Sequence, residues 1–276
     1  MYQLKQYFIK VCKYATLLLG VLTALVPIVV VLFASFKTSE EYANTGPLVP
    51  PSSWLNFENY SRAFFEGNML TGFINTTIIL LISITGAVIF GTMIAYVLSR
   101  FDFKGSKILM GAFLLATLIP AVTTQVATFQ IISALGAFNT KWAAILLFMG
   151  TDIISVYIFL QFLDTISKSL DESAMLDGAS YFTIYRKIIL PLLKPAIVTV
   201  FIIKGVNIYN DFYIPFLYMP KTELQVISTA LFKFKGPYGS EWEVISAGII
   251  IAIIPTLAVF LSLQKHIYNG IAGSVK

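Results

Sequence analysis

The stretch Glu172-Ser173-Ala174-Met175-Leu176-Asp177-Gly178-Ala179, followed by Ile188-Ile189-Leu190-Pro191-Leu192-Leu193-Lys194-Pro195, lies between two long apolar runs, 142–163 and 195–219. A polar connection with acids, a glycine and two prolines has to leave whatever apolar medium holds its flanks. The composition agrees: of 276 residues, 57% are hydrophobic and 12% charged, with a mean hydropathy of +0.82. That balance excludes an ordinary soluble domain. Crossing a hydrocarbon core of roughly 30 Å takes about 20 mainly apolar helical residues. Six runs meet that length, at 14–36, 70–98, 108–130, 142–163, 195–219 and 244–263. Backbone amides in lipid must be bonded within their own segment, so an all-α integral membrane bundle of six transmembrane helices is expected. The runs are continuous and not alternating, which disfavours a β-barrel. The chain reads as one transmembrane domain, 1–276, with the loop 164–194 outside the membrane.

Six spans put both termini on one side, and the basic residues choose it. A cytoplasmic N-terminus places Lys5, Lys10, Lys13, Arg100, Lys104, Lys107, Lys168, Arg186, Lys187, Lys194, Lys265 and Lys276 inside. Only Lys37, Arg62, Lys141, Lys221, Lys233 and Lys235 fall outside, as the positive-inside rule requires. The loop 164–194 is then cytoplasmic, in a multi-pass protein of the cell's inner membrane. The net charge of +5 is accounted for by topology and does not point to nucleic acid. The first apolar run is too long for a signal peptide and lacks a small-residue cleavage site before Lys37, so an uncleaved first helix is expected. A single cysteine, Cys12, excludes an internal disulfide.

Within the loop, Asp171 and Glu172 are placed to start a short helix, where negative side chains favour the positive end of the dipole. Gly178 permits a sharp turn after it. Pro191 and Pro195 suit the beginning of the fifth span, where a missing amide hydrogen costs least. A short helix projecting from the membrane is a knob that a soluble partner's cleft can grip; a solvated re-entry loop is the blander reading of the same residues.

These residues resemble the cytoplasmic coupling loop of binding-protein-dependent ABC importer permeases, whose pattern is Glu-Ala-Ala, three residues, Gly, then a distal Ile-x-Leu-Pro. Ser173 replaces the first alanine. Asp177-Gly178-Ala179-Ser180 resembles the carbohydrate-importer version, near the second permease subunit of maltose-type systems. Ser35-Phe36-Lys37, Pro50-Pro51 with Trp54, and Asn59-Tyr60 resemble that family's external connection. Tyr209-Asn210-Asp211-Phe212 with Pro215 resembles its Trp-Asn-x-Phe-x-x-Pro, with Tyr209 in place of Trp. The run from Gln264 to Lys276 resembles its C-terminal ending. The resemblance implies a type I ABC importer permease (MetI-like) bundle that couples to ATPases through Glu172, Ser173, Ala174, Asp177, Gly178, Ala179, Leu190 and Pro191. It also implies a homologous second permease, two ATP-hydrolysing subunits and an extracytoplasmic sugar-binding protein facing 220–243. ATP and Mg would be bound by the ATPases and no cofactor by this chain; the solute would be a carbohydrate, specifically an oligosaccharide.

The residues support that division of labour. No Gly-x-x-x-x-Gly-Lys-Ser/Thr phosphate loop is present, so ATP hydrolysis belongs to a partner. One His and one Cys leave little for a metal site or a Cys-His nucleophile, and a non-catalytic subunit is expected. The alternatives are the same architecture carrying a glycerol phosphodiester, a polyol or an acidic sugar, or a secondary transporter, which would need broken helices, internal repeats or an ion relay.

Charges inside spans cost about 2.5–3.5 kcal/mol each on insertion scales, so they invite a functional reading. Asp152, Lys204 and Asp211 are three such groups. Lys204, Asn207 and Asp211 share a helical stripe with Asn210 beside it, a candidate lining for the translocation path. An ion pair between Asp152 and Lys204 is the structural alternative. Thr123, Thr124, Gln125 and Thr128, near Pro120, either line the same cavity or join helices. Gly86 and Gly91 are candidate close-packing sites.

Overall fold

The computed structural model describes residues 2–120, 122–150, 152–236 and 239–273. The regular elements among the described residues are helices, with a lone antiparallel bridge, Lys235 to Ser240, as the extended pairing among them. The first helix, α1, spans Tyr2–Phe36; short helices α2 (Ser39–Asn44) and α3 (Glu58–Phe65) follow. Helix α4, Met69–Arg100, runs 32 residues without a break, a rod about 48 Å long.

The third predicted span is split. Helix α5 (Ser106–Leu118) ends before Pro120, and α6 (Gln125–Ala134) starts after it. Proline clashes with a helical predecessor, and Ile119 is accordingly extended at φ −83, ψ 116. The fourth is bent by 45° between α7 (Lys141–Met149) and α8 (Ile153–Asp164). The loop carries α9 (Ser169–Leu176) and α10 (Tyr181–Ile184), then a π-helical turn, Tyr185–Ile189, and α11 (Leu190–Leu192). The fifth run holds α12 (Lys194–Asn210) and α13 (Tyr213–Tyr218). Beyond the small α14 (Ile227–Ala230), α15 extends over Trp242–Gly273 with Pro255 inside it. The C-terminal ending predicted to match the family runs into Ser274, Val275 and Lys276, which lie outside the described residues.

Among the described residues, three helical stretches are long and apolar enough to span a bilayer alone, Ile9–Phe36, Met69–Arg100 and Trp242–Val259. Two bent pairs raise the number to five if each is one span. The remaining expected span, 108–130, holds the shorter apolar helix Ser106–Leu118 and the start of α6.

The chain forms two compact units. In the unit of residues 1–70 and 230–255, the motif residues after the first helix meet one another. Asn59 Nδ2 donates to the carbonyls of Ser35 (3.0 Å) and Lys37 (2.7 Å), and the Tyr60 and Ser35 hydroxyls are 2.7 Å apart. Phe36 packs against Trp54 and Tyr60 at centroid distances of 5.5 and 5.2 Å. Lys37 is buried, its ammonium donating to Thr45 Oγ1 and the Gly46 carbonyl. In the unit of residues 71–229 and 256–276, one apolar core gathers Ile79, Ile84, Ile145, Ile208 and Val226. A second gathers Ala95 and Tyr96 of α4, Phe159 and Leu163 of α8, Ile184 and Ile189 of the loop and Val200 of α12. The loop is thereby seated on three helices.

Candidate functional site

Helix α9 starts with Asp171 and Glu172 in its first turn, as the charge pattern predicts, and the two acids differ in exposure. Asp171 is buried. Its Oδ2 accepts from Arg100 Nε at 2.8 Å, at the end of α4, and the two side chains are only 6% and 8% exposed. Arg100 Nη2 also donates to the Ile166 carbonyl at 3.0 Å. Glu172 is exposed and enters no ion pair found among the described residues.

The end of α9 explains the spacing of the motif. Gly178 sits at φ +81. Its amide donates to the Met175 carbonyl (3.0 Å), and the Ala179 amide donates to the Ala174 carbonyl (2.9 Å). This is a Schellman closure, which needs a glycine in the left-handed position and brings the residues on either side, here Ala174 and Ala179, into contact. Open space surrounds the place of a Gly178 Cβ, so only backbone strain opposes a side chain there. Gly178→Ala is expected to cost about 1 kcal/mol. A shift of that size in detergent unfolding, with the chain still inserted, is the measurement that checks it.

Ser180 caps α10 by accepting from the Thr183 amide. The π turn follows, with the Leu190 amide bonded five residues back to the Tyr185 carbonyl. A proline clashes with the carbonyl four residues before it, and the widened turn directly ahead of Pro191 relieves that clash. Pro195 occupies the first turn of α12 as expected. Pro191 departs from the expectation: it lies in α11, ahead of a 71° bend between Tyr181–Leu192 and Lys194–Asn210, and so precedes the fifth span instead of opening it. Leu190 is half-buried against the second core, while Ser173, Asp177 and Pro191 are exposed. The loop also exposes apolar side chains: Leu176 is 90% exposed, and Phe182, Tyr181, Leu170 and Met175 are exposed as well.

The polar stripe borders a cavity of about 370 Å³, lined by Asp152, Ser155, Lys204, Asn207 and Asp211 among apolar neighbours from α7, α8 and α12. The ion pair that stands as the structural alternative for these charges forms: Lys204 Nζ is 2.8 Å from Asp152 Oδ2. Both partners also serve the break between α7 and α8. Asp152 caps α8 by accepting from the Ser155 amide (2.8 Å) and hydroxyl (3.0 Å), and Lys204 donates to the Gly150 carbonyl (2.9 Å). Asp211 likewise stands at a break. It is extended after α12, its Oδ1 accepts from the Ile214 amide (2.8 Å), and its carbonyl accepts from Ser228 Oγ (2.7 Å).

Asn210 does not line this cavity; its side chain donates to the Val206 carbonyl of its own helix. Thr124, Gln125 and Thr128 are also away from it. Thr128 donates back along its own helix to the Thr124 carbonyl, whereas Gln125 accepts from the Tyr213 hydroxyl of α13, the helix-joining alternative for this patch. Gly86 lies where a Cβ would meet the Met149 side chain, consistent with close packing there. No group of His, Cys, Asp and Glu suited to a metal ion occurs among the described residues.

Residues 87–273 match the family described as binding-protein-dependent transport system inner membrane component. The chain is 33% identical over 275 residues to the probable starch degradation products transport system permease protein AmyC of Thermoanaerobacterium thermosulfurigenes, covering 97% of this chain and 98% of that one. It is 30% identical over 261 residues to the melibiose/raffinose/stachyose import permease protein MelC of Bacillus subtilis (strain 168), with 91% of each covered. A chain in the crystal structure of a bacterial ABC transporter involved in import of the acidic polysaccharide alginate superposes with a TM-score of 0.82 at 21% identity, covering 94% of this chain and 96% of that one. That likeness establishes a MetI-like permease fold.

Proposed function

The chain belongs to the family of binding-protein-dependent transport system inner membrane components, and from that premise we propose that it is one permease of an ATP-driven carbohydrate importer. It is a membrane-embedded transport component, non-catalytic in itself. Its solute class is carbohydrate, an oligosaccharide in the first instance; the melibiose/raffinose/stachyose and starch-product importers named for its relatives support this reading. It acts as a single six-span domain with both termini in the cytoplasm of an inner-membrane complex. A second, homologous permease completes the pathway, two ATPases bind the cytoplasmic loop and hold ATP and Mg, and a sugar-binding protein docks over 220–243.

The observation that carries the coupling role is the division of the two acids of α9. Asp171 is engaged by Arg100, whereas Glu172 is exposed on a loop that also exposes Leu176, Tyr181 and Phe182. A loop that offers apolar side chains with an outward acid suits a soluble partner's cleft with a basic rim. Ser173, Ala174, Asp177, Gly178, Ala179, Leu190 and Pro191 hold its shape.

Asn207 and Asp211, with Lys204, supply the polar lining of the translocation path; Asn210, Thr124, Gln125 and Thr128 are secondary contributors, outside the cavity described above. The Lys204 charge is neutralised by Asp152, so an acidic solute gains no free cation here.

Mild-detergent affinity purification of this chain expressed with its neighbouring genes, followed by mass identification and a sugar-stimulated ATPase assay, tests the proposal. Recovery of a second permease and an ATPase, with hydrolysis stimulated by a sugar-loaded binding protein, is expected and would name the solute. Recovery of this chain alone, active in flux without ATP, would overturn it in favour of secondary transport.

A further inference from the structure

The covalent route out of the loop is interrupted twice. It bends by 71° between Tyr181–Leu192 and Lys194–Asn210, and it breaks again at Asp211 before α13. A push applied to α9 has to change direction at both places along this route. Helix α4 offers the alternative route, since it is unbroken from Met69 to Arg100 and bonded to the loop at one end and to a remote turn at the other.

At the loop end, the Arg100 guanidinium is divided between Asp171 of α9 (2.8 Å) and the Ile166 carbonyl (3.0 Å), so it clasps both sides of the turn that launches α9. Two turns back, the Thr92 and Tyr185 hydroxyls are 2.8 Å apart, fixing the π turn to the same helix. Near the opposite end, Asn75 Nδ2 donates to the carbonyls of Glu223 (2.9 Å) and Gln225 (2.8 Å). The next residue, Thr76, accepts from the Ile227 amide through Oγ1 at 2.9 Å. Asn75 and Thr76 are each 3% exposed, and Gly72 lets the Ile227 backbone come close. Asn75 and Arg100 are about 38 Å apart along the helix axis.

We propose that α4 is a strut that carries displacement of the coupling loop to the 223–227 turn, with Arg100 as the positioning residue at one end and Asn75 at the other. This rests on the coupling role proposed above. A helix bonded at both ends by buried groups moves both ends together, because a packed interior transmits displacement instead of deforming continuously. ATP-driven movement of α9 then reaches the 223–227 turn without passing through either interruption.

The test uses the whole complex in proteoliposomes, without the binding protein and in a Cys12→Ser background, with spin labels at Lys168, which lies at the start of α9 and outside the docking residues, and at Glu223, both exposed. Distances are measured with and without ATP and vanadate. In the otherwise unaltered complex the Lys168-to-Glu223 distance is expected to stay fixed. In Arg100→Ala and in Asn75→Ala it should shift by about 2–5 Å, the scale of packed-helix displacements. The double variant should resemble either single one, since both break the same connection. If Arg100→Ala does not accumulate, Arg100→Lys carries the test, because it keeps the charge while losing the divided contact. A distance that changes in the unaltered complex, or stays fixed in every variant, overturns the strut. Failure of the ATPases to co-purify with the unaltered chain is a separate result and removes the coupling role itself.

Discussion

Exchange of Glu172 for Lys should leave the chain in the membrane and strip it of its ATPases. Glu172 is exposed on α9, and its carboxylate enters no ion pair among the described residues, so the substitution breaks none of the ion pairs found there. The adjacent Asp171 keeps its pair with Arg100, and the Gly178 closure is untouched. The change falls on the interface alone. A carboxylate meeting a basic group in a desolvated cleft, once reversed in sign, sets like charges together, and loss of such a pair costs about 2–5 kcal/mol. That corresponds to roughly 30-fold to several-thousand-fold weaker docking. Co-purification of the ATPases from detergent should fall accordingly, with uptake lost in parallel. Glu172→Gln should be milder, since it removes the charge without opposing it. Unchanged docking and uptake in the Lys variant would count decisively against Glu172 as the docking acid.

The reason this residue could be picked from the sequence is local. The closure of α9 needs a glycine at 178 and small residues at 174 and 179, all within a few positions of the acid, so the geometry leaves a compact pattern in the chain. Pro120 is equally legible as a helix breaker in hindsight, yet an uninterrupted apolar run at 108–130 conceals it, because hydropathy registers what lipid tolerates and not where the helix ends. The i, i+3, i+7 spacing places Lys204, Asn207 and Asp211 on one face, and all three line the cavity. Asn210, beside that face, bonds back to Val206. Arg100 is not legible in the same way: among the basic residues it reads as one more cytoplasmic marker, and its partner lies 71 positions away with nothing local to announce it. Asp152 carries a local signal, since Asp before an apolar helical run is a helix-start residue, and the structure uses it to cap α8.

Removal of the Lys204 charge is expected to destabilise the chain more than any other single change within the spans. In Lys204→Met the carboxylate of Asp152 stays in the membrane interior without its counter-ion, and the Gly150 carbonyl loses its donor. Breaking a fully buried pair costs about 3–5 kcal/mol. Asp152 is 42% exposed to the cavity and keeps two bonds from Ser155, so a loss of about 2–3 kcal/mol is the better expectation. Asp152→Asn alone should also destabilise, since it strands Lys204, which is only 12% exposed. Combining the two removes both charges, and stability should return to within about 1 kcal/mol of the original, a coupling that a double-mutant cycle of unfolding in detergent measures. Uptake of the sugar identified by purification separates the two roles of the lysine. Its ammonium is already engaged by Asp152 and Gly150, so the double variant should recover transport together with stability. Recovery of stability without transport would mean that the sugar reads the Lys204 charge directly, and the pair would then be a gate to the path and not merely the clamp on the broken fourth span.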